Sequence, residues 1–247
     1  MTRGISPYRY REGLKDGLPI GLGYLSVSFG FGITAVGEGL RILEALLISM
    51  TNLTSAGQVA GVTVIVAAGT LLEMMLTQLV INLRYSLMGI TLTQRLDARC
   101  TTPRRMLMAF GMTDEIFAMA VSKPHSVGPT YFYGLMTLPY IGWAGGTLLG
   151  AIAGQLLPSD LRSAMGIMIY AMFIAIILPP MKQDRGVLFV VLLAAALSCA
   201  VYFLPFLQWI SEGFAIILCA LVSAVVMAIV KPIDDEDDDG EEEGGAT

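Results

Sequence analysis

The chain has 247 residues, of which 55% are hydrophobic and only 14% charged. A soluble chain carries about 25% charged residues and cannot hide this much apolar surface in one interior, so the composition excludes an ordinary soluble enzyme and points to lipid as the solvent. The net charge of −5 is misleading, because nine acids lie in the stretch DDEDDDGEEE, Asp234 to Glu243, leaving 15 basic and 11 acidic residues for the rest.

Taken in chain order, residues 1–16 are basic through Arg3, Arg9, Arg11 and Lys15. They are too charged for a cleavable signal peptide, and the apolar run behind them is long enough to span. Clear spanning helices are expected at Gly17–Val36, Leu71–Leu92, Tyr131–Leu156, Ser163–Leu178, Val187–Leu204 and Leu207–Val230. Each run is long and lacks the alternation of a barrel strand, so the fold class is all-α, a polytopic bundle of about six to eight membrane segments. Residues 232–247 form an acidic tail with no apolar groups to bury, which reads as disordered. Residues 17–231 are the membrane domain.

Two further apolar stretches are interrupted. Leu43–Gly69 contains NLTSAGQ, Asn52 to Gln58, and Arg105–Val121 contains GMTDE, Gly111 to Glu115. Basic residues mark the cytoplasmic side. The N-terminal segment, the Gln94–Arg105 loop, Lys123, Lys182–Arg185 and Lys231 all belong there, which puts both termini inside. Eight ordinary spans violate this rule at the Arg-rich loop. The conflict disappears if both interrupted stretches re-enter, one from each side, as the discontinuous helices of secondary transporters do. Glycines recur every fourth residue at Gly13, Gly17 and Gly21, and at Gly142, Gly146, Gly150 and Gly154. This spacing predicts close helix packing, against either a neighbouring helix or a partner subunit.

Ionisable and polar groups at membrane depth are the candidate functional residues. Asp114 and Glu115 are adjacent, so on a helix they point about 100° apart and do not share a face. Thr113 and Asp114 also suit the cap of a restarting helix. Arg84, two residues after Asn82, either reaches the interface, binds a carboxylate, or pairs with Asp114 or Glu115. Glu73 reads as interfacial. Asn52, Ser55 and Gln58 offer neutral donors and acceptors at the first break, for a ligand or for interhelical contacts. Trp143, Trp209, Tyr8, Tyr10, Tyr131 and Tyr202 read as interface anchors. No catalytic or metal site is expected: His125 is the only histidine, the cysteines Cys100, Cys199 and Cys219 are scattered, and a Walker A sequence is absent. Neither a cofactor nor a nucleic-acid partner is expected.

The segments YREGLKDGLPIGLGYLSVSFGFG, TSAGQVAG, INLRYSLMGITL and AFGMTDEIFAM resemble, in order and spacing, the AzlC family of branched-chain amino-acid exporters, from about Tyr10 to Pro232. The resemblance implies export of leucine, isoleucine, valine and sometimes methionine or analogues, driven by the proton gradient. It also implies a small AzlD-type membrane partner and a plasma-membrane location. On that reading Arg84 takes the substrate carboxylate, with Asn82 beside it. Asn52, Ser55 and Gln58 hold the amino group, and Asp114 or Glu115 carries the proton. Two departures stand out: the family's aromatic-rich FAGAAQF segment is LTSAGQVAG here, and its usual histidine after Asn-Leu-Arg is Tyr85. A passive channel for a small solute is the competing reading.

Overall fold

The computed structural model describes residues 5–156, 158, 174, 177–207 and 209–230. The chain divides into two compact units, Met1–Ala175 and Ile176–Thr247. Described residues of the first form seven helices: α1 (Tyr10–Gly37), α2 (Ile42–Thr51), α3 (Ser55–Val66), α4 (Leu71–Arg95), α5 (Thr102–Phe110), α6 (Asp114–Val121) and α7 (Pro129–Leu156). The second unit holds α8 (Arg185–Phe203), a short 3-10 turn at Pro205–Leu207, and α9 (Glu212–Val230). No strand occurs among the described residues. The expected basic N-terminal segment overlaps the start of α1, and the acidic tail and nearly all of the expected span Ser163–Leu178 lie outside the described residues.

Helix starts follow local chemistry. The backbone N–H groups of Arg9 and Arg41 donate to Glu12 and Glu44, at 3.0 and 2.8 Å, so an acidic side chain sits in the first turn of α1 and of α2. Gly39, at φ 98°, makes the turn between these helices in a region that costs other residues.

The two glycine stripes meet each other. An added methyl at Gly13 would strike the backbone of Tyr131 and Leu135; one at Gly142 would strike Gly21, one at Gly150 would strike Phe29, and one at Gly154 would press on Ile33. Both series ascend together, so α1 and α7 run parallel with their backbones in contact, the geometry that small residues permit in a membrane. Of the two packing options for this stripe, the partner is a helix of the same chain.

Parallel spans must be separated by an odd number of crossings, and α4 supplies one. It begins beside Val64 and Gly69. Its other end lies near the N-terminal end of α1: Val127 N–H donates to the Arg95 carbonyl (2.8 Å), and Ser6 N–H donates to Asp97 (3.1 Å). The other helices between α1 and α7 make no crossing. Leu40 and Ala45, before and within α2, share a core cluster with Val62 of α3 and with Phe31 and Ala35 near the C-terminal end of α1. Between them Tyr140, halfway along α7, donates to the Met50 carbonyl at 3.0 Å. Leu53 packs there against Tyr24 and Trp143. The pair α2–α3 therefore enters and returns. At 10 residues, α2 is about 15 Å long, half of the ~30 Å hydrocarbon core.

The pair α5–α6 does the same from the opposite end. Phe110 reaches the Tyr140 ring (centroids 6.0 Å apart), Gly111 lies against Met136, and α6 returns to Lys123, whose Nζ is 2.8 Å from Asp16. Two hairpins entered from opposite ends of the bundle are the arrangement that re-entry of both interrupted stretches requires.

Four helices, α1, α7, α8 and Gly213–Val230 of α9, are long and apolar enough to cross a membrane, and α2 and α3 are shorter apolar helices. At 25 residues α4 is long enough as well, but Glu73, Gln78, Asn82 and Arg84 lower its hydropathy. In the second unit α8 and α9 pack on each other, and side chains such as Leu192, Phe203 and Val225 face outward, as lipid-facing residues do.

Two expectations need correction. Trp143 and Tyr131 are not interface anchors: they are 3% and 0% exposed, Trp143 against Tyr24 and Tyr131 donating to Asp16 at 2.7 Å. Glu73 lies in the first turn of α4, at the helix end where it was expected. It is 4% exposed, folded under the α3–α4 turn beside Gly69.

Candidate functional site

The two chain breaks meet at mid-depth around Tyr24. Asn52–Thr54 separates α2 from α3, and Gly111–Thr113 separates α5 from α6. Each break frees backbone groups that a continuous helix would satisfy internally. At the second break Thr113 caps the restart, its Oγ1 accepting from the Ile116 N–H at 3.4 Å, as the Thr113–Asp114 pattern suggested.

Asp114 and Glu115 then diverge. Asp114 turns towards α4 and forms an ion pair with Arg84, Oδ2 to Nη2 2.8 Å, with both side chains about half exposed. The Arg84 guanidinium also lies 5.1 Å from the centroid of the Tyr85 ring, a cation–π distance. Glu115 turns towards α1 and accepts a hydrogen bond from the Tyr24 hydroxyl, which also lies 2.6 Å from Thr113 Oγ1. Among the described residues Glu115 has no cationic partner. The group Arg84, Asp114 and Glu115 therefore carries a formal charge of −1 when both acids are ionised.

On the facing side, four amides gather at the first break. Gln78, on α4, accepts from Asn82 at 3.2 Å and from Asn52 at 3.5 Å, and donates to the Gly57 carbonyl at 2.8 Å. Gln58 is fully buried and donates to the Asn52 carbonyl and to Ser49, which in turn bonds Thr147 of α7. Its Oε1, Asn82 Oδ1 and Thr54 Oγ1 are buried with no hydrogen-bond partner among the described residues. Such groups cost free energy unless something supplies a donor. Ser55 opens α3 but makes no hydrogen bond to this network among the described residues.

Of the residues singled out in the sequence, Asn52, Gln58 and Asn82 thus come together, and Arg84, Asp114 and Glu115 form a second group. Helix α4 carries members of both, Asn82 and Arg84, and its Gln78, Asn82 and Tyr85 recur at helical spacing along one face. Sequence reasoning missed Gln78, Tyr24 and Trp143. The signal for Tyr24 was its place on the small-residue stripe of α1, three residues after Gly21 and four before Ser28, where a large side chain is out of pattern.

Comparison with known proteins agrees with this architecture. The AzlC protein family matches residues 19–157, more than half of the chain, a range that contains both hairpins and every site residue. An uncharacterized membrane protein of Archaeoglobus fulgidus is 33% identical over 175 residues, covering 70% of this chain and 76% of the relative. The inner membrane protein YgaZ of Escherichia coli is 29% identical over 196 residues, covering 76% and 80%. An uncharacterized membrane protein of Helicobacter pylori is 24% identical over 186 residues, covering 72% and 80%. No solved structure matches. The extent of the family match and the likeness to these membrane proteins establish that this chain belongs to the AzlC family.

Proposed function

We propose that the chain is the large subunit of a plasma-membrane exporter of branched-chain amino acids, driven by proton antiport and assembled with a small AzlD-type membrane subunit, both termini being cytoplasmic. One observation carries this reading: two hairpins entering from opposite ends bring to mid-depth an Arg84–Asp114 ion pair, an acid with no cationic partner among the described residues, and buried oxygens of Gln58, Asn82 and Thr54 without a hydrogen-bond partner among those residues. Discontinuous helices in secondary transporters build their sites this way.

Each part of a zwitterion has a counterpart. The substrate carboxylate competes with Asp114 for the Arg84 fork. The ammonium group, with three donors and no acceptor, suits the acceptors Gln58 Oε1, Asn82 Oδ1 and Thr54 Oγ1. Asn52 and Gln78 hold those amides in place, and Ser55 stands at the entry to α3. Glu115 is the better proton carrier of the two acids, because Arg84 already neutralises Asp114. A bound ammonium favours the ionised acid; its departure favours protonation. Substrate and proton then occupy the carrier alternately, which is the requirement for exchange.

The test is labelled leucine or valine flux in proteoliposomes containing this chain and its small partner, with and without an imposed pH gradient. The reading expects uphill movement only with the gradient, abolished by Glu115→Gln and strongly reduced by Asp114→Asn. Gradient-insensitive equilibration would identify a passive channel, and failure to move any branched-chain amino acid would overturn the reading.

A further inference from the structure

We infer that Tyr24 is a positioning residue that ties the protonation of Glu115 to the seating of both hairpins, an inference that rests on the exporter reading. Along α1 the face towards α7 is made of Gly13, Gly17, Gly21, Ser28 and Gly32, which let the two backbones touch. Tyr24 interrupts that face with a large side chain, yet only 8% of it is exposed. Its ring stands edge-on to Trp143, centroids 5.0 Å apart at 73°, and packs on Leu53 in the break of the first hairpin. Its hydroxyl reaches the other hairpin, at Thr113 Oγ1 and the Glu115 carboxylate. One side chain on the rigid α1–α7 pair therefore touches both breaks.

The hydroxyl has one proton to give, and two neighbours within reach. With Glu115 ionised, Tyr24 donates to the carboxylate and the Thr113 hydroxyl donates to the Tyr24 oxygen. With Glu115 protonated, the acid O–H donates to the Tyr24 oxygen, Tyr24 donates to Thr113 Oγ1, and Thr113 accepts twice, from Tyr24 and from the Ile116 N–H. No proton other than the one Glu115 gains enters the trio. The direction of both hydrogen bonds reverses, and the reversal is felt at the cap of α6. The charged or titratable groups around this trio are Asp114 on α6 and Arg84 and Tyr85 on α4; Tyr85 faces both acids. Leu53 and Trp143, from the first hairpin and from α7, are uncharged.

Tyr24→Phe keeps the ring contacts and removes only the hydroxyl. In proteoliposomes with the partner subunit and no imposed pH gradient, net flux of labelled leucine down its own concentration gradient is followed beside proton movement, read with a trapped pH-sensitive dye. Leucine flux is expected to persist, while protons moved per leucine fall about tenfold or more, the worth of one hydrogen bond to a charged group. Thr113→Val should lower the same ratio, and Thr113→Ser, which keeps the hydroxyl and the cap, should preserve it; this pair carries the test if Tyr24→Phe does not fold. An unchanged ratio, or an equal loss of both fluxes in Tyr24→Phe and Thr113→Val, would overturn the assignment while leaving the exporter reading intact. A parent protein that moves leucine without protons, or moves no leucine, would overturn the exporter reading and the Tyr24 assignment with it.

Discussion

The contact between α1 and α7 predicts that two glycines five residues apart on one helix respond to alanine with opposite signs. A Cβ at Gly150 would overlap the Phe29 carbonyl and lie 2.9 Å from its Cα, backbone atoms that no side-chain rotation can move aside. Carbon atoms rest at roughly 3.5–4.0 Å, so α1 must retreat by about 1 Å, and a gap of that size forfeits a quarter to a half of each dispersion contact along the seam. Overpacking of this kind costs about 1–3 kcal/mol. At Gly145 a Cβ meets nothing within 4 Å, so alanine there only removes the ~0.5–1 kcal/mol penalty of a helical glycine. One kcal/mol moves the Tm of a chain this size by roughly 2–4 °C. Thermal unfolding in detergent should therefore show Gly150→Ala several degrees below the parent and Gly145→Ala level with it or slightly above. Equal shifts for the two variants would refute the claim that the backbones touch at Gly150.

Two other outcomes follow from named contacts. Burial raises the carboxyl of Asp97, but the Arg99 guanidinium and the N–H groups of Ser6 and Arg99 outweigh it and hold it below the usual carboxylate range. A depressed native value contributes stability above the unfolded pKa and loses it as pH falls through the native one. The Tm gap between the parent and Asp97→Asn should stay constant from about pH 5 to 8 and close below about pH 4; a gap that widens in acid would contradict this. Arg84→Lys keeps the charge but not the planar fork, so the KM for leucine should rise about tenfold with expression unchanged, one charge-assisted hydrogen bond having been lost.

Much of the fold was legible because lipid imposes simple rules. Composition and run length marked the membrane chain, and the basic residues favoured hairpins at NLTSAGQ and GMTDE over eight ordinary spans, because only then does the Arg-rich loop after α4 share a side with the N-terminus. The divergence of Asp114 and Glu115 was readable from helix geometry alone. Which partner each acid took was not, since Arg84 lies 30 residues upstream and only the return of α6 beside α4 brings it close. Aromatics misled for a related reason. Tyr131 and Trp143 sit in an apolar run, where the rule for lipid interfaces applies by default, and only the parallel docking of α1 on α7 turns them inward. Gln78 passed unnoticed because one amide in a helix carries no pattern until Asn52, Gly57 and Asn82 converge on it.

The site, the ion pair and the Tyr24 link all require the two hairpins to enter from opposite faces of the membrane. Single cysteines at Thr70 and Lys123 test this directly, labelled with an impermeant maleimide in vesicles of known orientation on a background without Cys100, Cys199 and Cys219. Opposed hairpins place Thr70 and Lys123 on opposite faces, Lys123 on the side of the N-terminus. Labelling of both from one face would mean that the stretch through Asn52 crosses the membrane, and would contradict the account.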